Sequence, residues 1–507
     1  MVLLILAGVT INLLFSDTGL FGKAQEAKNT WENAENSDRE AIGELSNQMN
    51  EILNGIGTGS GEGTNPDDEP VALPADGSYS ELKGVNTPDL AEELQLEENK
   101  KLVPIVWDET VNSGTGGWKK TESNSAWYDY TTTEKKWANA VIGGTFNQEG
   151  ILDESATGYS MFVWIPRFAY QISSGYHQSG ADINPDDGAS GANSAGTINV
   201  KFMKETGFES ADEEKTQETD WDNASGEGNW NIHPAFEYNG TKAGIWVAKF
   251  EASSVEGNAD SDDTTTGDNR TNKTLQAKPG VASWRHIQIS NIFDVCKNYR
   301  SDLNSHMMKN SEWGAVAYLS KSSYGINGEI WINNSNSYIT GSTGNGASAG
   351  SNEGTTADYT SSQGVKASTT GTVYGIYDMS GGSYEYVAAY VDNTNEDLNG
   401  FGSSLVSAAS YMKDVYDMGS GDTSEANYAA NSDVYGDAVY ETSSSVINPY
   451  SNSWYGDSSL FPYSTVSFFI RGGLFNSGLT AGMFYVSYTD GSTANYVGFR
   501  PVLSPAV

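Results

Sequence analysis

Four histidines, one cysteine and many carboxylates are the side chains here that could carry chemistry. His177, His233, His286 and His306 occur singly, with no HxxxH or His/Asp/Glu spacing of the kind that gathers a metal's ligands. Cys296 stands alone, so the chain can build no internal disulfide, no cysteine-rich zinc site and no CxxC redox pair. A single cysteine of this sort reads as a small buried hydrophobe. The run NADSDDTTTGDN at 258–269 offers oxygen ligands to calcium but lacks EF-hand spacing, and it reads as a solvated loop. No GxSxG, P-loop or Rossmann glycine pattern occurs, and no pair of carboxylates stands above the rest as acid and base. With 66 acidic against 28 basic residues the formal charge is -38, which repels phosphate backbones and anionic surfaces. Nucleic acid is therefore not expected as a partner. No catalytic residue, metal or cofactor is expected, which leaves binding.

The pattern most suited to binding lies at the carboxyl end. Over 468–503, Arg471, Gly472, Gly473, Gly482, Gly498, Phe499 and Arg500 form a fixed frame around short runs of Asn, Ser, Thr, Tyr, Leu, Phe and Ala. From 442 to 507 there is no Lys, Glu or Gln, and Trp454 is the one tryptophan. The filling residues are those reached from an asparagine codon by changes at its adenines, whereas Lys, Glu, Gln and Trp are not reachable. The expected display surface is Phe468, Phe469, Leu474, Phe475, Asn476, Ser477, Leu479, Thr480, Tyr485, Ser487, Tyr488, Thr489, Asp490, Ser492, Thr493, Ala494, Asn495 and Tyr496. Met483 is not reachable by such changes and is expected to stay constant, as is Phe484. Tyrosine beside serine and asparagine is what antibody-like surfaces use, rigid amphipathic area next to small adaptable hydrogen-bonding groups.

Several elements must position that stretch. The apolar start MVLLILAGVTINLLF, with apolar residues recurring at helical spacing as far as Ile52, predicts a long amphipathic helix over 1–53. A Gly-, Pro- and acid-rich linker is expected over 54–90, and a small β-rich unit over 91–145. The head, 146–507, carries strand-like runs such as SMFVWIPRFAYQI and AGIWVAKFEAS, with long insertions at 173–197 and 334–371. IFDVCKNYRSDL and NSEWGAVAYLSKSS read as helices, the second capped by Asn310 or Ser311. Gly381 and Gly382 predict a turn at positive φ, with Tyr384 and Tyr386 sharing one side of the following strand. Arg471 and Arg500 are expected as buried structural partners of Asp378 and Glu385.

Three segments in order, HMMKNSEWGAVAYLS, VYGIYDMSGGSYEYVAAY and the RGG…GFR stretch, resemble the formylglycine-generating-enzyme-like variant of the C-type lectin fold. The resemblance implies an α+β protein: a long N-terminal helix and small β unit, then an irregular lectin-like domain rich in loops. Oxidase members of that family use cysteines near the carboxyl end, and 471–507 has none. The amino-terminal segment resembles type IV pilin-like helices of Gram-positive bacteria, which implies a membrane anchor that later packs into a filament at the cell surface. The C-terminal stretch is similar to the variable region of target proteins of diversity-generating retroelements. Together these imply an extracellular, filament-borne, hypervariable binder of a protein or glycan ligand. A phage tail receptor-binding protein with the same head is one alternative, and an oxidase of the formylglycine-generating type, disfavoured by the missing cysteines, is the other.

Overall fold

The computed structural model describes residues 85–123, 126–177, 195–203, 221–223, 226–256, 270–352, 357–446 and 452–505. The chain divides into two units, Met1–Ala72 and Leu73–Val507, and the described residues all belong to the second. The expected helix at 1–53 lies outside them, as do the acidic run at 258–269 and most of the first insertion.

The strands in chain order are β1 (Val103–Asp108), β2 (Gly117–Lys120), β3 (Asn139–Ile142), β4 (Ser160–Pro166), β5 (Phe168–Ser174), β6 (Thr197–Phe202), β7 (Trp230–Ile232), β8 (Gly244–Ala248) and β9 (Ser253–Ser254). They continue as β10 (Leu275–Gln276), β11 (His306–Met307), β12 (Tyr384–Val391), β13 (Asp414–Tyr416), β14 (Phe468–Gly472), β15 (Gly482–Thr489), β16 (Val497–Phe499) and β17 (Pro501–Leu503). The largest sheet has seven strands in the order β11-β17-β8-β4-β3-β1-β2. A second, of five, runs β13-β12-β14-β15, with β16 parallel to β12.

The α+β expectation is corrected by this architecture. Among the described residues the molecule is predominantly β, with five helices: α1 (Ile289–Tyr299), α2 (Asn310–Lys321), α3 (Glu396–Gly400), α4 (Ser403–Val406) and α5 (Ser424–Ala430). None is long and apolar enough to cross a membrane. The physical reason lies in the composition, since glycine, serine and β-branched or aromatic runs favour turns and pleated surfaces over extended helices. The small β unit is also not separate. β1, β2 and β3 continue the sheet that β4 and β8 belong to, and Trp127 stacks near Trp246 with ring centroids 6.1 Å apart. The end of the expected linker packs as well, because Val85 is fully buried and Asn86 donates to the Ala243 carbonyl at 3.1 Å.

Helix α2 is buried along its whole length. The expected cap by Asn310 or Ser311 is replaced by one from inside the helix, where Glu312 accepts from the Lys309 backbone N–H at 2.8 Å. That arrangement satisfies one of the free N–H groups at the helix start. Gly314 faces the backbone of residues 436–437, and a Cβ there would lie 2.0 Å from the Gly436 carbonyl oxygen. Alanine in a helix interior normally gains about 1 kcal/mol over glycine. Here overlap with backbone decides the sign: Gly314→Ala is expected to lower stability by about 1–3 kcal/mol in urea titration.

Candidate recognition face

The frame begins at β14, which lies between β12 and β15 in the sheet. At its end Gly472 and Gly473 adopt φ of +83° and +84°, a conformation that L side chains rarely take. A Cβ on Gly482 would sit 2.2 Å from the Asp457 carboxylate, which accepts from the Phe484 N–H at 2.9 Å. Glycine is thus what lets Asp457 hold the start of β15. Gly498 likewise allows β16 to run against Ser383, whose Oγ a Cβ would approach to 2.5 Å.

Two buried guanidinium groups anchor the frame in different ways. Arg500 forms a paired contact with Glu385, at 2.6 Å and 3.1 Å, and also donates to the carbonyls of Ala248 at 2.8 Å and Tyr377 at 2.9 Å. Arg471 donates to Asn310 Oδ1 at 3.1 Å and to the carbonyls of Asp437, Ala438 and Met483 at 3.2–3.4 Å. Burial pulls its pKa down to about 10 against the opposing charge of Asp437. The expected partners are therefore corrected for Arg471, whose side chain bonds neither Asp378 nor Glu385. Although Arg471 stands opposite Glu385 in register, Glu385 is engaged by Arg500, and the Arg471 side chain runs instead to α2 and the 437–438 turn. Asp378 is held by Asn333 and by the Gly341 N–H, at 2.9 Å and 2.8 Å, and Glu251 by Ser383. Burial raises Glu251, Asp378 and Glu385 alike, and the Arg500 charge pulls the last two back.

The residues expected on display divide into three groups. Asn476, Leu479, Asn495 and Tyr496 are exposed. Leu474, Phe475, Ser477, Thr480, Tyr488, Thr489, Asp490, Ser492, Thr493 and Ala494 are half-buried. Phe468, Phe469, Tyr485 and Ser487 are buried, and for them the expectation of a display surface is corrected. A strand with neighbours on both edges and a core on both faces has no displayed side, so alternation cannot bring Phe468 or Phe469 out. Phe469 packs 4.6 Å from the Tyr416 ring and 5.1 Å from that of Phe461, while Phe468 belongs with Tyr390 in the opposite cluster. Met483, Phe484 and Phe499 lie in the core with the frame.

The structure adds neighbours that sequence reading missed. The half-buried Tyr384, at the head of β12, stacks on Tyr485 at 5.6 Å and meets Tyr496 edge-on at 6.0 Å. Tyr338, at φ +56°, meets Phe475 at 5.0 Å, and the Arg285 guanidinium lies 3.7 Å over its ring while donating to the Asn495 carbonyl. Tyr384 was noted as a strand residue, but nothing local at Arg285 or Tyr338 signals the face. The result is an aromatic surface with small polar groups between its rings, which is suited to stacking and hydrogen bonding.

His286 adjoins this face, its backbone N–H donating to the Ala494 carbonyl at 3.0 Å, and the other three histidines lie elsewhere. His306 pairs with Glu312 at 2.9 Å, His233 sits in the core with a pKa pushed down by burial to about 3, and His177 contacts Tyr428 and the Ser443 carbonyl. Among the described residues no three His, Cys, Asp or Glu side chains gather as a metal would require. Compared with known protein families and with curated proteins, the chain matches none.

Proposed function

We propose that this chain is a cell-surface binding protein, carried on a pilus-like filament and diversified by a retroelement, that recognises a protein or glycan ligand without turning it over. One observation carries the reading: burial separates the two residue classes of the C-terminal stretch. Arg471, Gly472, Gly473, Gly482, Met483, Gly498, Phe499 and Arg500 are buried, whereas the interchangeable residues of 474–480 and 488–496 are half-buried or exposed. A surface that changes while its frame stays still needs that division, because replacing core residues costs several kcal/mol and replacing surface ones little. The burial of Phe468 and Phe469 moves the start of the diversified set to Leu474. The filament role draws on the apolar amino-terminal sequence and stands separately.

Sequencing the gene and its surroundings in independent isolates tests the proposal. The expected result is a nearby near-copy of the 3′ coding segment beside a reverse transcriptase. Isolates should differ only at codons where the copy has adenine, and those codons should fall within 474–480 and 488–496. Substitutions spread over other bases, or reaching the codons of Arg471 and Arg500 as often, would remove the basis for diversification.

A further inference from the structure

Lys249 follows β8 into the core, and Asn139 opens β3; both are fully buried. The Lys249 Nζ lies 2.9 Å from Asn139 Oδ1, 2.5 Å from the Val373 carbonyl and 2.8 Å from the Gly375 carbonyl. The rings of Trp118 and Tyr377 wall the site, with centroids 4.9 Å and 5.3 Å from the nitrogen. Asn139 is fixed as well, since its amide nitrogen donates to the carbonyls of Trp137 and Tyr374, each at 2.9 Å. Its oxygen side is thereby turned toward the lysine.

Burial pushes Lys249 well below the usual lysine range, against the pull of Glu154. Burial in turn raises Glu154, which weakens that pull. A neutral amine has two hydrogens for three acceptors. In the structure Nζ donates to Asn139 Oδ1, which polarises the carboxamide, and the carboxamide carbon lies about 1.2 Å beyond that oxygen.

We propose that Lys249 and Asn139 become joined by an intramolecular isopeptide bond. The Nζ–Cγ bond forms, the Cγ–Nδ2 bond breaks, one amine hydrogen passes to the departing nitrogen, and ammonia leaves. No oxidant or second reactant is needed. Holding the two groups together makes the reaction unimolecular, and the dry core keeps out the water that would compete. The bond ties β3 to β8 across β4, which lies between them in the sheet. It braces a chain whose single cysteine allows no disulfide within it.

Intact-mass spectrometry of the purified, fully unfolded full-length protein tests this. The expected mass is about 17 Da, one ammonia, below that of the sequence. Proteolysis should yield one branched species joining the peptides that contain Asn139 and Lys249, with no cleavage after Lys249. Lys249→Arg and Asn139→Ala should each restore the full sequence mass, a readout that does not require either variant to remain folded. A wild-type protein at full sequence mass would overturn the proposal and leave Lys249 as an amine in a carbonyl cage. A mass deficit that persists in both variants, as from succinimide formation at an Asn-Gly pair, would overturn it too.

Discussion

Arg500→Ala is expected to lower unfolding free energy by about 3–5 kcal/mol, measured by urea titration, because it leaves a buried carboxylate without its partner. The side chain is fully buried and makes a two-point contact with Glu385, near the carboxylates of Glu251 and Asp378. A domain with about 5–15 kcal/mol in total would be brought near its limit. Lysine should not restore the loss, since an ammonium cannot reproduce the planar fork that meets Glu385 and two carbonyls together. Replacing both members, Arg500→Met with Glu385→Leu, should recover much of it, because the cost arises from the unpaired charge more than from the lost attraction. A single variant within about 1 kcal/mol of the wild type would contradict the assignment of Arg500 as the neutralising group of this cluster.

The stability that Glu441 contributes should rise as pH falls from 8 to 5, opposing the loss from buried His233, whose pKa of about 3 lies below the ordinary histidine value. Glu441 is enclosed by Tyr170 and Tyr318, whose hydroxyls donate to it at 2.7 Å, and by the Gly436 N–H at 2.6 Å. Burial pushes its pKa up to about 7, and that of Asp437 to about 6. Glu329 is likewise raised to about 7 by burial. A folded pKa above the unfolded one means that the native state holds the proton more tightly. The contribution is complete below the unfolded values and is lost as pH rises through about 6 to 7. Glu441 alone accounts for about 3 kcal/mol over this range. Glu441→Gln keeps the group neutral at every pH, so it should raise the melting temperature at pH 8, and its advantage over the wild type should shrink as pH falls to 5. A Gln variant as pH-dependent as the wild type would place the titration elsewhere.

The two longer helices were legible because their signals are local. IFDVCKNY and NSEWGAVAYLSK each carry apolar residues at helical spacing, and the structure has α1 and α2 there. Gly381 and Gly382 were legible for the same reason, with φ of +77° and +69° at the turn into β12. The cap of α2 was missed because Glu312, three residues inside, does what Asn310 or Ser311 was expected to do. The separate unit at 91–145 was a misreading of a different sort. Its strands look self-contained in sequence, but β3 pairs on its other edge with β4, which joins β1 and β2 through it to the larger sheet.

The sequence by itself determined that no internal disulfide can form, the positions of the two main helices, and the contrast between Arg and Gly positions and the Asn-, Ser- and Tyr-rich runs between them. Those depend on composition and on spacing within a few residues. Tertiary structure alone decided which filling residues face outward, because a two-residue alternation shows that Phe468 and Phe469 point opposite ways but not that both sides of β14 are covered. It also decided the partners of Arg471 and the meeting of Arg285 and Tyr338 with the C-terminal stretch. Such contacts join residues far apart in the chain, and they exist only once sheet order and register bring those residues within a few ångströms.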